Sequence, residues 1–258
     1  MNAAPLLSVR ALSKTWDGVH GCRNVDFDLY AGEVLCIVGE SGSGKSTLLQ
    51  AISAQTPLEN GTVHYAMRDD GPTDLSTLSA ARLRLLARTD WGFVRQHARD
   101  GLRMQISAGG NIAERLMAIG ERRYDALRYQ ATQWLSRMEI DTGRLDDKPE
   151  TFSGGMQQRL QIARNLVTRP RLLFMDEPTA SLDVSVQARL LDLIRQLVND
   201  LRLAVVFVTH DLAVARLLAH RTLVMQGGEV VESGLTDQVL DDPQHPYTQL
   251  LVSSMLQG

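Results

Sequence analysis

Gly39-Glu40-Ser41-Gly42-Ser43-Gly44-Lys45-Ser46 is the stretch that decides how this chain folds. The five residues before it, Val34-Leu35-Cys36-Ile37-Val38, are apolar and mostly β-branched, as expected of a strand buried on both faces of a parallel sheet. The residues after Lys45, from Ser46 through Thr47 to Ile52, read as a helix. Strand, glycine-rich loop and helix in that order are the context in which this spacing of Gly, Gly, Lys and Ser grips phosphate. The glycines let consecutive backbone N–H groups turn inward, and the helix N-terminus adds the positive end of its dipole. Lys45 is then placed to reach the β- and γ-phosphates of a nucleoside triphosphate, and Ser46 to ligate Mg²⁺.

Two further strands carry chemistry at their ends. Leu172-Leu173-Phe174-Met175-Asp176-Glu177 is an apolar run that finishes in adjacent carboxylates. Because side chains alternate along a strand, Asp176 and Glu177 should point to different sides and do different work. Asp176 is read as a Mg²⁺ ligand, through water, since this ion keeps much of its hydration shell. Glu177 is read as the base that orients and deprotonates the attacking water. His210 follows Ala204-Val205-Val206-Phe207-Val208-Thr209 and so falls at a strand's carboxyl end, where open parallel sheets form their ligand crevice. That position assigns it a contact with the γ-phosphate, whereas the other five histidines read as structural.

With Gln96, Ser153-Gly154-Gly155 and Ser181-Leu182-Asp183, these segments resemble the Walker A, Q-loop, signature, Walker B, D-loop and H-loop motifs of ABC-type ATPases, over nearly the whole chain. The resemblance implies an α/β fold of the P-loop NTPase (RecA-like) kind. It has a mostly parallel sheet, an N-terminal antiparallel β subdomain and an inserted helical subdomain. The implied division is a single nucleotide-binding domain over residues 1–258, with a core of 1–96 and 165–258 and a helical subdomain of 97–164. It also implies ATP sandwiched between two subunits. The loop Gly39, Glu40, Ser41, Gly42, Ser43, Gly44, Lys45, Ser46 and Thr47 of one would hold the phosphates; Ser153, Gly154 and Gly155 of the other would close over the γ-phosphate, with Asp183 nearby. Gln96 joins Ser46 and Asp176 around Mg²⁺ and Lys45, Glu177 and His210 in catalysis. Elementary physics suits this use, because Ser153 opens a long amphipathic segment, Gly155 to Val167, whose N-terminal N–H groups would face an anion. Met156 stands where the signature commonly has glutamine, and activity is expected to survive that change. Trp16 lies where the family places an aromatic that stacks on adenine; the alternative is an aromatic filling the edge of the small N-terminal sheet. Stacking alone leaves the choice between ATP and GTP open.

Composition bounds the rest. A chain of 258 residues can bury a full core. Its net charge of −3 gives no electrostatic case for nucleic acid. Cys22 and Cys36 are not at metal spacing, and Cys36 lies inside a buried strand, as in a reducing compartment. No apolar run approaches the ~20 residues of a membrane span, and no signal peptide is expected from the first residues, so a cytoplasmic protein is the expectation. No heptad run suggests the coiled coil of chromosome-type ABC ATPases.

Along the chain, residues 1 to about 30 read as short strands around Asp17-Gly18, and Glu59-Asn60-Gly61-Thr62-Val63 reads as a further hairpin signal. Helical spacing is seen at Ala113 to Met117, Tyr124 to Met138 and Val184 to Leu201. Thr222–Met225 and Glu229–Glu232 read as a strand pair around Gly227-Gly228, followed by a C-terminal helix.

What the ATPase drives turns on two places. The segment from Gln96 to Ile112 follows the Q-loop glutamine, and in transport ATPases this region receives a helix of the membrane permease. The tail Asp242-Pro243-Gln244-His245-Pro246-Tyr247 resembles ATPases of oligopeptide and dipeptide importers. Those importers usually have a serine-leucine-asparagine-proline pattern after the glutamine, but here His97-Ala98-Arg99-Asp100-Gly101 and Ser107-Ala108-Gly109-Gly110-Asn111-Ile112 stand instead. These departures, with the run from Thr151 to Val167 and the tail Leu250 to Leu256, resemble the ATP-binding components of bacterial carbon-phosphorus lyase systems. That likeness implies a permease-free homodimer docking on soluble lyase core subunits, with room for a second ABC-type subunit and no membrane insertion. Arg82, Arg84, Arg88, Arg95, Arg99 and Arg103, against only Asp90 and Asp100, would suit an acidic partner face; the alternative for Arg82, Arg84 and Arg88 is an ordinary solvated helix face.

Overall fold

The computed structural model describes residues 4–18 and 20–255, so Leu256 of the tail lies outside the described residues. The chain divides into two compact units, Met1–Leu83 with Arg202–Gly258, and Arg84–Leu201. In chain order the elements are β1 (Leu7–Thr15), β2 (Gly21–Leu29), β3 (Val34–Val38), α1 (Lys45–Ile52), β4 (Asn60–Met67), β5 (Gly71–Asp74) and α2 (Ala80–Thr89). There follow β6 (Trp91–Val94), α3 (Ala98–Gly101), α4 (Ala108–Ala118), α5 (Tyr124–Arg137), α6 (Gly154–Leu166), β7 (Leu172–Asp176) and α7 (Val184–Leu201). The chain ends with β8 (Ala204–Thr209), α8 (Leu212–Leu218), β9 (Arg221–Gln226), β10 (Glu229–Leu235), α9 (Thr236–Asp241) and α10 (Pro246–Met255). The fold is the α/β one expected, with parallel core strands, an N-terminal antiparallel sheet and a helical insertion.

In the first unit the antiparallel strands run in the order β2-β1-β4-β5. Leu7, Val9 and Leu12 of β1 are fully buried, and the register with β2 shifts on either side of Leu12. Ala11 sits in that bulge with φ 46°. The hairpin expected at Glu59–Val63 is not formed there: β4 begins at Asn60, pairs with β1, and turns into β5 only after Met67. Gly61 has a different reason to be glycine. Its φ is 87°, and a Cβ would lie 2.4 Å from the Ala11 carbonyl oxygen of the bulge.

The other strands of this unit place β3 between β8 and β9, both parallel to it, with β10 antiparallel on β9. Every residue of β3 and β8 is buried, as their continuous apolar runs require. Cys36 lies within β3 and Cys22 within β2, and both are free thiols in the core. Burial pushes the Cys22 thiol up to about 11 and raises that of Cys36 as well, which keeps both protonated and inert.

In the second unit β6 and β7 are parallel neighbours, and Trp91 meets Phe174 edge-on at 5.6 Å between ring centroids. Arg171 donates to Asp90 Oδ2 from Nε (3.0 Å) and Nη2 (2.6 Å) at the foot of the pair. α4 begins five residues before the first residue read as helical. The Ser107 hydroxyl accepts from the Gly110 N–H at 3.1 Å, and this cap starts the helix across a Gly-Gly pair that hides it in the sequence. The C-terminal helix is two helices, α9 and α10, broken around Pro243 and Pro246. The short strand β6 carries too little periodicity to be read from the sequence, whereas α2 forms where a solvated helix face was the alternative for Arg82, Arg84 and Arg88.

Candidate functional site

In the first unit, β3 and β8 run side by side with Val38 opposite Thr209. Their carboxyl ends therefore deliver Gly39 and His210 as neighbouring strand extensions. His210 is exposed, immediately before Asp211, whose carboxylate caps α8 by accepting from Ala213 and Val214. The glycine-rich loop crosses from β3 into α1, whose first residue is Lys45. Gly44 holds the turn at φ 100°, and a Cβ there would come within 2.1 Å of the Gly21 carbonyl oxygen, so only glycine fits. No side chain caps α1. An uncapped helix start preceded by a left-handed glycine is the form that accepts an anion on backbone N–H groups.

The loop's outer face, Glu40, Ser41, Gly42 and Ser46, is exposed, while Gly39, Ser43 and Lys45 are buried. Lys45 donates from Nζ to the carbonyl oxygens of Gly39 (2.8 Å) and Glu40 (2.7 Å), which ties the ammonium across the loop's own entry. Trp16 is 59% exposed, so it does not fill the sheet edge. Its indole N–H reaches the Thr47 hydroxyl at 3.4 Å, and Lys14 Nζ stands 4.8 Å from the ring centroid. An open aromatic face beside the phosphate loop is the geometry a stacked base needs.

Two contacts on this loop were not legible in the sequence. The Gly228 N–H, at the β9–β10 turn, donates to the Ser43 carbonyl at 3.1 Å. The Glu40 N–H donates to the Tyr247 hydroxyl of α10 at 3.0 Å. The tail is set in place by Glu232, whose carboxylate accepts from the backbone N–H of Gln244 (2.8 Å) and His245 (3.0 Å). Burial opposes ionisation of Glu232, but these hydrogen bonds outweigh it and hold the carboxyl below its ordinary value.

In the second unit, β6 and β7 pair with Val94 opposite Met175. Gln96 and the carboxylates Asp176 and Glu177 thus follow adjacent strand ends. Asp176 closes β7 and Glu177 lies just past it, both half-buried. Glu177 has φ 42°, a left-handed backbone that costs a non-glycine residue energy and tends to persist at functional sites. Ser153 and Gly154 are exposed at the start of α6, and Asp183 is exposed just before α7. The Ser153 hydroxyl accepts from the Met156 N–H at 3.3 Å, so this serine caps its own helix while its hydroxyl proton stays available to another acceptor. Met156 takes a polar contact of its own, from Arg144 Nη1 to its sulfur at 3.7 Å.

α6 also grips β6 through three buried amides. Asn165 accepts from Phe93 N–H (3.0 Å) and donates to Phe93 O (3.1 Å). Gln161 does the same at Arg95, 2.6 and 3.2 Å, and Gln158 adds a donor to Arg95 O at 3.2 Å. Polar residues at 158, 161 and 165 on the inward face of an amphipathic helix are the sequence signal that could have marked them.

The arginine-rich region is less uniformly available than its sequence suggests. Arg82 pairs with Asp70, Arg103 pairs with Glu114 at 2.6 Å, and Arg95 stacks 5.4 Å from the Phe93 ring centroid. Asp90 is taken by Arg171 and does not neutralise the patch. Among the described residues, Arg84, Arg88 and Arg99 have no carboxylate within ion-pair distance.

Taken singly, the Ser46 hydroxyl in the first unit and the Gln96 amide and Asp176 carboxylate in the second are oxygen donors of the kind Mg²⁺ takes. No helix among the described residues is long and apolar enough to cross a membrane.

Against known proteins, residues 22–180 match the family described as ABC transporter. The chain is 64% identical over 254 residues to the phosphonates utilization ATP-binding protein PhnK of Escherichia coli (strain K12), covering 98% of this chain and 99% of that protein. It is 38% identical over 259 residues to the oligopeptide transport ATP-binding protein OppD of Bacillus subtilis (strain 168), covering 97% of this chain and 72% of that one. Among solved structures, the dimeric bacterial ABC transporter cassette MJ0796 superposes with a TM-score of 0.80 at 30% identity, covering 89% of this chain and 98% of that one. A post-hydrolysis dimer of the same cassette bound to ADP and Pi gives a TM-score of 0.78 at 28% identity, with the same coverage.

Proposed function

The chain is an ATPase of the ABC transporter family, and from that premise we propose that two copies hydrolyse ATP at their interface to drive conformational change in a soluble carbon-phosphorus lyase complex. The observation that carries the partner assignment is the end-to-end identity of 64% with a phosphonates utilization protein, against 38% with an oligopeptide importer subunit. The segment after Gln96, which lacks the importer pattern, points the same way. The reading places the protein in the cytoplasm, docked through the region of Arg99.

In this reading the backbone N–H groups from Gly42 to Thr47 and the Lys45 ammonium hold the phosphates, and Trp16 stacks on the base. Ser46, Gln96 and Asp176 would hold Mg²⁺, which supplies charge neutralisation at the β- and γ-phosphates when bound. Glu177 takes the proton of the attacking water, and His210 contacts the γ-phosphate. Ser153 donates its hydroxyl proton to the γ-phosphate of the facing copy, with Gly154 and Gly155 adding backbone donors and Asp183 lining the same approach. The exposure of Ser153, Gly154, Asp183 and Val184, the last 85% exposed, supports their use by a second copy.

The test is to trap the Glu177→Gln protein with ATP and Mg²⁺ in its native host and identify what is bound by mass spectrometry. Soluble subunits of a phosphonate-degrading complex support the reading. Polytopic membrane proteins with a substrate-binding protein would make it an importer motor, the second reading, favoured by the Asp242–Tyr247 tail.

A further inference from the structure

Gln161 is fully buried, about two turns into the helix that begins at the signature residues Ser153 and Gly154. A buried amide demands partners, and this one spends both ends on a single peptide unit's neighbours: it accepts from the Arg95 N–H and donates to the Arg95 carbonyl. Its amide also donates to Gln158 Oε1 at 3.3 Å, and Gln158 donates to the same Arg95 carbonyl. Arg95 is the residue immediately before Gln96. A fork on both polar groups of Arg95 leaves the next residue little freedom of direction, although Gln96 itself is exposed.

The far side of Gln161 is equally constrained. A Cβ on Gly101 would lie 2.3 Å from Gln161 Oε1 and 2.6 Å from its Cδ, so α3 passes directly over the amide. The segment is held again further along. Asn111, fully buried, accepts from the Arg103 N–H at 2.8 Å and donates to the carbonyls of Arg103 and Ile106, both at 3.0 Å. Glu114 joins Arg103 (2.6 Å) to Arg164 of α6 (2.8 Å). The stretch from Arg95 to Ile106 is therefore keyed to α6 and α4 at both ends, with Gln161 beneath its start.

We propose that Gln161 is a positioning residue for hydrolysis, acting through Gln96: it fixes the Q-loop glutamine to the signature helix so that movement at either is transmitted to the other. The inference rests on the reading of Gln96 as a Mg²⁺ and catalytic residue given above. Uniform binding of nucleotide does not pass through this link, so its loss falls on turnover.

The test is a double-mutant cycle on the full chain, with Gln161→Met, which matches the side chain in length but has no donor and only a weak sulfur acceptor. Turnover should fall roughly tenfold. The KM for ATP should stay within about twofold while the Mg²⁺ concentration for half-maximal rate rises. Added to Gln96→Ala, the same substitution should change turnover by less than about twofold, because the residue it acts through is gone. Gly101→Ala, which displaces the amide from the opposite side without changing any residue of α6, should reproduce the turnover defect and keeps the question answerable if Gln161→Met does not fold. Equal losses in both backgrounds, or normal turnover in Gly101→Ala and Gln161→Met, would overturn the proposal. If Gln96→Ala alone turns over normally, the reading of Gln96 fails, and the proposal with it.

Discussion

Removing one oxygen from the C-terminal tail should loosen the phosphate loop. Tyr247 is 8% exposed, and its hydroxyl accepts the Glu40 N–H at 3.0 Å. Tyr247→Phe keeps the ring and its packing and deletes only that acceptor. A hydrogen bond of this kind contributes a net ~0.5–1.5 kcal/mol, and Glu40 lies at the solvent-facing side of the loop, so water can replace part of the loss. A stability decrease of ~1 kcal/mol is the central expectation. The effect on nucleotide affinity has a ceiling. A bias of ~1 kcal/mol shifts the competent fraction of the loop by at most about fivefold, and apparent affinity scales with that fraction. ATP titration by calorimetry, using a Glu177→Gln background to prevent turnover, and urea unfolding of the same proteins measure both. A Tyr247→Phe protein with the parent's urea midpoint and the parent's affinity would refute the argument that the tail braces the loop. So would an affinity loss well beyond fivefold, which one hydroxyl at this distance cannot supply.

Other outcomes follow from single contacts. Glu177→Gln should bind ATP and stall as a closed dimer visible by size-exclusion chromatography; wild-type turnover in that protein would remove Glu177 as the base. Glu177→Gly should also lose turnover yet keep the parent's stability within ~0.5 kcal/mol, because glycine relieves the left-handed backbone as it removes the carboxylate. Acidification should release the tail: Glu232 is held below its ordinary value, so the stability it adds is present at neutral pH and lost as pH falls below about 4.5. Glu232→Gln should accordingly flatten the acid limb of a urea-midpoint against pH plot, and an unchanged limb would contradict the capping role. Asp90→Ala leaves Arg171, whose side chain is 29% exposed, without its carboxylate, and should cost ~2–3 kcal/mol in urea unfolding.

The motifs were readable because each is a short run whose backbone form is dictated locally. Gly44 must be left-handed against the Gly21 carbonyl, β3 and β8 are apolar throughout, and Ser153 caps a helix from one position before it. The braces around them were not readable, because their partners are far apart in sequence. Glu40 meets Tyr247 across 207 positions, and Asn165 meets Phe93 across 72. Strand ends explain the rest of the difference. β6 has four residues and no turn signature before it, yet it is the strand whose end carries Gln96. Its identity rests on the amides of α6, which satisfy the N–H and carbonyl groups of Phe93 and Arg95. A sequence pattern reports which groups a segment can bury, and only the folded chain reports which distant side chain accepts them. That is why glutamine and asparagine at 158, 161 and 165 are informative in retrospect: three amides on the buried face of one helix cost too much unless something polar lies opposite, and here it is the backbone leading to Gln96.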